Sequence, residues 1–214
     1  MENTACIFAN GQFNDIDFYK ELALSCSLSI GVDGGCNSLY DMEISPDYIV
    51  GDMDSIKDEV LLYFKNKGKH VLLHPKEKNQ TDTEIAIDFA KEKGFTKMIL
   101  LGAFGDRIDH MLGNIGLLFY ARDNLVDLTI LDEKNKMYLL KEGINELRVE
   151  PEETLSFIAF GGEVSGITLE GFKYPLNNYT LKVGSSRCIS NVVVSKSPRV
   201  IAKKGILIAI ESRD

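Results

Sequence analysis

Leu28-Ser29-Ile30-Gly31-Val32-Asp33-Gly34-Gly35-Cys36-Asn37 and Tyr48-Ile49-Val50-Gly51-Asp52-Met53-Asp54-Ser55 share one build: a short apolar run, then glycine and aspartate where the run ends. A run of that length with turn residues behind it reads as a buried strand. Between the two, residues 37–42 read as a short helix. The same alternation extends both ways: apolar 6–9, helix-like 16–26, strand-like 71–73, 98–101 and 128–131, and a helix over 110–122. Ser55, with Asp58 three residues on, predicts a capped helix over 60–67 that Gly68 closes. Thr81 with Glu84 predicts a second capping box, opening a helix whose Ile85, Ala86, Phe89 and Ala90 share one face before Gly94. Strand and helix units in alternation predict a mostly parallel, Rossmann-like α/β sheet with helices on both faces.

Past residue 132 the chain changes character. Fifteen of its sixteen aspartates lie at or before Asp132, and residues 1–132 carry 22 acidic against 12 basic side chains. The remainder has no helical period. It reads as short strands over 136–140, 146–149, 155–160, 164–169, 180–183, 192–195, 200–202 and 206–210, separated by Gly, Pro and Asn clusters. Two domains are therefore expected: an α/β domain over 1–132 and an all-β, sandwich-like domain over 133–214.

Several function classes fall away. The net charge is −8 with no basic run, against nucleic-acid binding, which relies on Lys and Arg to neutralise phosphates. No apolar run reaches the roughly 18 residues a membrane span needs, and the first residues lack the build of a signal peptide. Cys6, Cys26, Cys36 and Cys188 form no Cys-x-x-Cys pair, so a zinc site or disulfide framework is not expected and a reduced cytoplasmic setting is. Neither Gly-x-x-x-x-Gly-Lys-Ser/Thr nor Gly-x-Gly-x-x-Gly occurs.

In an open parallel sheet, ligands bind beyond the carboxyl ends of the strands. Four successive strand ends deliver aspartates there: Asp33, Asp52 with Asp54, Asp82 in Gln80-Thr81-Asp82-Thr83, and Asp106 with Asp109 in Gly105-Asp106-Arg107-Ile108-Asp109-His110. Carboxylates gathered on one rim repel unless a cation compensates, and all-oxygen ligands point to Mg²⁺. With Gly34-Gly35 beside them, the expected ligand is a metal-bound polyphosphate. Each motif alone has a plainer reading: Asp82 as a first-turn carboxylate, Asp54-Ser55 as a turn and cap, Gly34-Gly35 as a turn, and His110 with Asn114 as polar residues one helical turn apart. Their order and common placement carry the inference.

These motifs, together with Ser185-Ser186-Arg187-Cys188-Ile189-Ser190-Asn191 in the β region, resemble those of bacterial thiamine pyrophosphokinases. The resemblance covers nearly the whole chain. It implies pyrophosphoryl transfer from ATP to the hydroxyethyl oxygen of thiamine, giving thiamine diphosphate and AMP, by a homodimer. It further implies that Asp52, Asp54 and Asp82 hold Mg²⁺, and that Asp33, Gly34, Gly35, Asn37, Thr83 and Arg107 lie along the nucleotide. Asp109, His110 and Asn114 would stand near the acceptor alcohol, with Ser190 and Asn191 lining the thiamine pocket. The chain departs from the family at Lys78-Asn79, where many members carry an aspartate in place of Asn79.

Two rivals remain at this level. Asp52-Met53-Asp54 imitates the nucleophile motif of haloacid dehalogenase-type phosphohydrolases, although that motif normally follows the first strand. The other rival is a thiamine- or nucleotide-binding regulator without turnover.

Overall fold

The computed structural model describes residues 2–75 and 79–213. They form two compact units, Met1–Glu133 and Lys134–Asp214. The first runs β1 (Thr4–Phe8), α1 (Ile16–Ser25), β2 (Leu28–Val32), α2 (Gly35–Asp41), β3 (Tyr48–Gly51), α3 (Asp58–Asn66), β4 (His70–Leu73), α4 (Asp82–Glu92), β5 (Lys97–Leu101), α5 (Ile108–Asp123) and β6 (Asp127–Leu131). Its strands pair in the order β6-β5-β1-β2-β3-β4, every neighbouring pair parallel. The direction of winding reverses between β1 and β5, which makes their loops a topological switch point.

Every residue of β1 and β2 is buried, as a strand covered on both faces requires. Alternate residues Cys6, Phe8, Ile49, Ile99 and Leu101 join Tyr19 of α1, Leu39 of α2 and Val60 and Phe64 of α3 in one core. On the sheet, α4 packs against β1, β2 and β3, and α5 against β6. Burying a large apolar side chain contributes about 1.5–3 kcal/mol, so this packing outweighs the capping details below.

Thr81 caps α4 as its sequence suggests, its Oγ1 accepting the Glu84 N–H at 3.2 Å. Ser55 does not cap α3. That helix starts at Asp58 after Lys57, without a side-chain cap, and the Ser55 hydroxyl donates to Asp54 at 2.9 Å. The reason lies across the fold: Asn37 Oδ1 reaches from α2 to accept the Lys57 N–H at 2.9 Å, a non-local bond invisible to a local capping rule.

Cys6 and Cys26 are joined in a disulfide with Cα atoms 6.0 Å apart, which corrects the expectation that no disulfide forms. A spacing rule built on Cys-x-x-Cys misses it because α1 returns the chain so that Cys26 meets β1 from 20 residues away. Cys36 and Cys188 are buried free thiols.

The second unit comprises β7 (Asn135–Leu140), β8 (Gly143–Glu146), β9 (Thr154–Ala159), β10 (Val164–Glu170), β11 (Leu176–Leu181), β12 (Asn191–Val192), β13 (Arg199–Ala202) and β14 (Leu207–Ser212). Pairing follows β12-β9-β14-β7 and β11-β10-β13-β8, all antiparallel. Leu155, Phe157 and Leu207 from the first set share a core with Ile167, Leu169 and Val200 from the second. Over the chain the strand pairing is thus mixed, not purely parallel. β8 lies earlier than its apolar signal, because Leu147 and Val149 are buried without belonging to a strand. β11 runs through Asn177-Asn178, where Asn178 takes a positive φ of 49° and the ladder to β10 shifts register. A bulge of that kind disguises a strand as a turn.

Candidate active site

Asp33 follows β2, Asp52 follows β3, and Asp82 is the first residue of α4. One carboxylate oxygen from each lies within 4.8 Å of the other two, and all three residues are half-buried. The Asp33 backbone is held left-handed at φ 41°, its N–H donating to the Val50 carbonyl at 2.9 Å. That conformation is uncommon outside glycine, though Asp tolerates it better than most residues. Partial burial pushes the Asp33 pKa up, and the nearby Asp54 charge adds to the rise against hydrogen bonds from Ser55 and Gly34. Three acidic oxygens so close, one already resisting ionisation, are a donor set that a hard divalent cation fits.

Asp54 stands beside this trio. Its N–H donates to Asp52 Oδ1 at 3.1 Å and its Oδ1 accepts the Ser55 hydroxyl. Sequence reasoning groups Asp54 with Asp52 and Asp82; the geometry that gathers three oxygens instead includes Asp33.

Gly35 is a glycine for a packing reason. A Cβ there would fall 2.5 Å from the Phe8 carbonyl oxygen and 2.7 Å from that of Ala9, so only glycine lets the start of α2 approach the end of β1. Gly34 beside it lies against the Asn10 side chain. Asn37 is engaged at both ends, donating from Nδ2 to the Ser55 carbonyl at 2.9 Å and accepting from Lys57. Thr83 is the second residue of α4, next to Asp82.

Arg107 stands at the N-cap position of α5 without a side-chain cap bond, and its guanidinium donates twice to Asp109, Nε to Oδ1 at 3.2 Å and Nη2 to Oδ2 at 2.6 Å. The Arg107 hydrogen bond holds the Asp109 pKa down at about 2. His110 is exposed on the same helix, and Asn114 donates to the Ala103 carbonyl at 2.9 Å, fixing the loop after β5. Asn79 is exposed, and Lys78 lies outside the described residues.

In the second unit, Ser190 is left-handed at φ 53°, with its N–H donating to Ser156 Oγ at 3.0 Å. Asn191 is 3% exposed. Its Oδ1 accepts the N–H groups of Tyr174 and Val192, both at 3.0 Å, and its Nδ2 donates to the Tyr174 carbonyl at 2.9 Å.

Sequence reasoning passed over a cavity of about 220 Å³ between the loops after β1, β5 and β6, with Gln12, Asn14, Asp132 and Glu133 on its wall. The rule that found the aspartates applies there too, since Asn10-Gly11-Gln12 follows β1 and Asp132-Glu133 follows β6.

The family description "Thiamin pyrophosphokinase, catalytic domain" matches residues 19–130, and "Thiamin pyrophosphokinase, vitamin B1 binding domain" matches residues 144–207. A thiamine pyrophosphokinase of Bacillus subtilis (strain 168) is 37% identical over 214 residues, 99% of each chain. The crystal structure of thiamine pyrophosphokinase from Bacillus subtilis matches with a TM-score of 0.87 at 34% identity, covering 99% of both chains. That of thiamin pyrophosphokinase from Geobacillus thermodenitrificans matches with a TM-score of 0.84 at 31% identity, covering 99% of this chain and 98% of the other. With both units matched in order and a relative aligned from end to end, the chain belongs to the thiamin pyrophosphokinase family.

Proposed function

We infer that the protein transfers a pyrophosphoryl group from ATP to thiamine, releasing AMP. The observation that carries this reading is the Asp33, Asp52 and Asp82 trio at the strand-end rim of a chain that matches the family in both units. The thiamine hydroxyethyl oxygen attacks the β-phosphorus, a P–O bond forms, the bond to the α,β-bridging oxygen breaks, and AMP leaves. The alcohol proton passes to a base.

Asp33, Asp52 and Asp82 would hold Mg²⁺ here, with Asp54 orienting Asp52 through its backbone N–H. Bound there, the ion neutralises phosphate charge and aligns the chain of phosphates for in-line displacement. The start of α2, with Asp33, Gly34, Gly35 and Asn37, and Thr83 on α4 border the same rim. Arg107 is the cation we assign to phosphate charge. While it grips Asp109, that carboxylate is too weak a base to serve well near neutral pH. Asp109 therefore takes the alcohol proton only once Arg107 turns to the phosphates, and His110 and Asn114 frame that position. Ser190 and Asn191 shape the thiamine pocket, Asn191 by holding the backbone of Tyr174. A homodimer and a cytoplasmic setting belong to the same reading.

The phosphohydrolase alternative loses its footing because Asp52-Met53-Asp54 follows the third strand, not the first. The deciding experiment mixes purified protein with ATP, thiamine and Mg²⁺ and measures AMP and thiamine diphosphate together, with an EDTA control. Equal amounts of both products, abolished by chelation, support the transfer and its metal site. AMP without thiamine diphosphate points to another acceptor, and free phosphate as the product overturns the reading.

A further inference from the structure

The cavity between the loops after β1, β5 and β6 sits at the switch point of the sheet. Ala9 N–H donates to the Leu101 carbonyl at 2.8 Å and Gln12 N–H to the Phe104 carbonyl at 3.1 Å, so the two loops that part there are tied at the base. Beyond the tie the cavity opens to about 220 Å³. That is below the roughly 300–1,000 Å³ that houses a drug-sized ligand. It has room for one ring of a nucleotide and not for the whole molecule.

Its wall carries three carboxylates. Asp106, Asp132 and Glu133 line it with the amides of Gln12 and Asn14, with Met111 and with residues 102–105, and no Lys or Arg is among these lining residues. A triphosphate is repelled from such a surface; a group that donates hydrogen bonds is not. The acceptors are also held in place. Tyr19, fully buried, donates its hydroxyl to Glu133 Oε2, and Asn14 Nδ2 donates to Glu133 Oε1 at 2.7 Å. Gln12 Nε2 donates to Asp106 Oδ1 at 2.8 Å. Burial pushes the Tyr19 pKa up, with the Glu133 hydrogen bond adding to it, so the phenol stays a donor throughout the working pH range.

The cavity adjoins the metal-capable rim through the end of β1. The Phe8 and Ala9 carbonyls press against Gly35 at the start of α2, directly after Asp33 and Gly34. A nucleotide with its phosphates at Asp33, Asp52 and Asp82 would carry its sugar toward this end of the rim.

We propose that Asp132 and Glu133, the latter positioned by Tyr19 and Asn14, accept hydrogen bonds from the ribose hydroxyls of ATP and set selectivity for a ribonucleotide donor. The proposal rests on the ATP-dependent reading above. The probe is 2′,3′-dideoxy-ATP, compared with ATP in turnover with thiamine and, by calorimetry with Mg²⁺ but no thiamine, in binding. In the unmodified protein the dideoxy analogue is expected to bind at least about tenfold more weakly, because two half-buried carboxylates lose the hydroxyls they accept from. Glu133→Gln raises the KM for ATP about tenfold, leaves that for the analogue within about twofold, and leaves the thiamine KM unchanged. Asp132→Asn, which leaves the Tyr19 bond intact, serves if Glu133→Gln does not fold. Equal binding of ATP and the analogue, or a variant that weakens both alike, overturns the subsite. Selective ATP binding without thiamine diphosphate formation leaves the subsite standing and removes the transferase reading instead.

Discussion

Arg107 and Asp109, two residues apart at the start of α5, face each other through two hydrogen bonds in an exposed pair. The pair pulls the Asp109 pKa from 3.8 down to about 2. A lowered carboxylate contributes stability that is complete above about pH 4 and is lost as the pH falls toward 2. A carboxyl NMR titration should place the Asp109 midpoint near 2, and Arg107→Ala should return it toward 3.8. An unmoved midpoint would show that the pair does not persist in solution.

The carboxylates at the rim can be ranked by substitution. Asp33→Asn, Asp52→Asn and Asp82→Asn are each expected to lower Mg²⁺-dependent turnover by about 100-fold or more, and Asp54→Asn by less than about tenfold, because the backbone N–H that orients Asp52 is kept. Kinetics across a Mg²⁺ titration check this. A larger loss from Asp54→Asn than from Asp33→Asn would restore the grouping of Asp52, Asp54 and Asp82.

Neutralising one member of a like-charged trio should also relieve repulsion when no cation is present. In EDTA, Asp52→Asn is expected to melt about 1–4 °C higher than the unmodified protein, the shift for a gain of roughly 0.5–1 kcal/mol in a chain of this length. A lower melting temperature would mean that the Asp54 N–H bond to Asp52 outweighs the repulsion.

Asn191→Ala removes a buried amide and with it the part-buried bonds to the N–H and carbonyl of the exposed Tyr174. Losing bonds of that kind costs about 0.5–1.5 kcal/mol each, so thermal unfolding should shift down by a few degrees while the KM for ATP stays put. An unchanged melting temperature with a raised thiamine KM would make Asn191 a direct ligand contact.

The cysteines can be counted chemically. Protein denatured without reductant should expose two titratable thiols, those of Cys36 and Cys188, and four after reduction. Four thiols without reductant would show that Cys6 and Cys26 stand as a dithiol.

What was legible in the residues was whatever depends on short range. Apolar runs located the strands of the first unit, and the aspartates that come after four of those runs pointed to their shared rim. Thr81 announced α4. What was not legible depends on partners far along the chain. Ser55 looks like a cap until Asn37, 20 residues away from Lys57, takes that N–H. Nothing next to Asn191 in sequence announces that its amide pairs with the backbone of Tyr174, 17 residues earlier. Asn177-Asn178 looks like a turn until β10 draws it into a bulged strand. The cavity at Gln12 and Glu133 also lies at strand ends, but its loops after β1 and β6 bring amides and a glutamate to it and so do not stand out as an aspartate motif.

The hold that Asn37 keeps on Ser55 and Lys57 joins the first turn of α2, just past the loop after β2, to the loop after β3. Two of the three rim carboxylates, Asp33 and Asp52, therefore reach their places while the chain folds, and little ordering is left for the moment an ion arrives. Cutting that one amide, as in Asn37→Ala, would leave only the Asp33 bonds to Val50 and Ser55 between the two segments and so loosen them. A cation would then bind with a larger entropic penalty and an unaltered set of charges, and calorimetry would find the lost affinity in the entropy of binding and not in its heat.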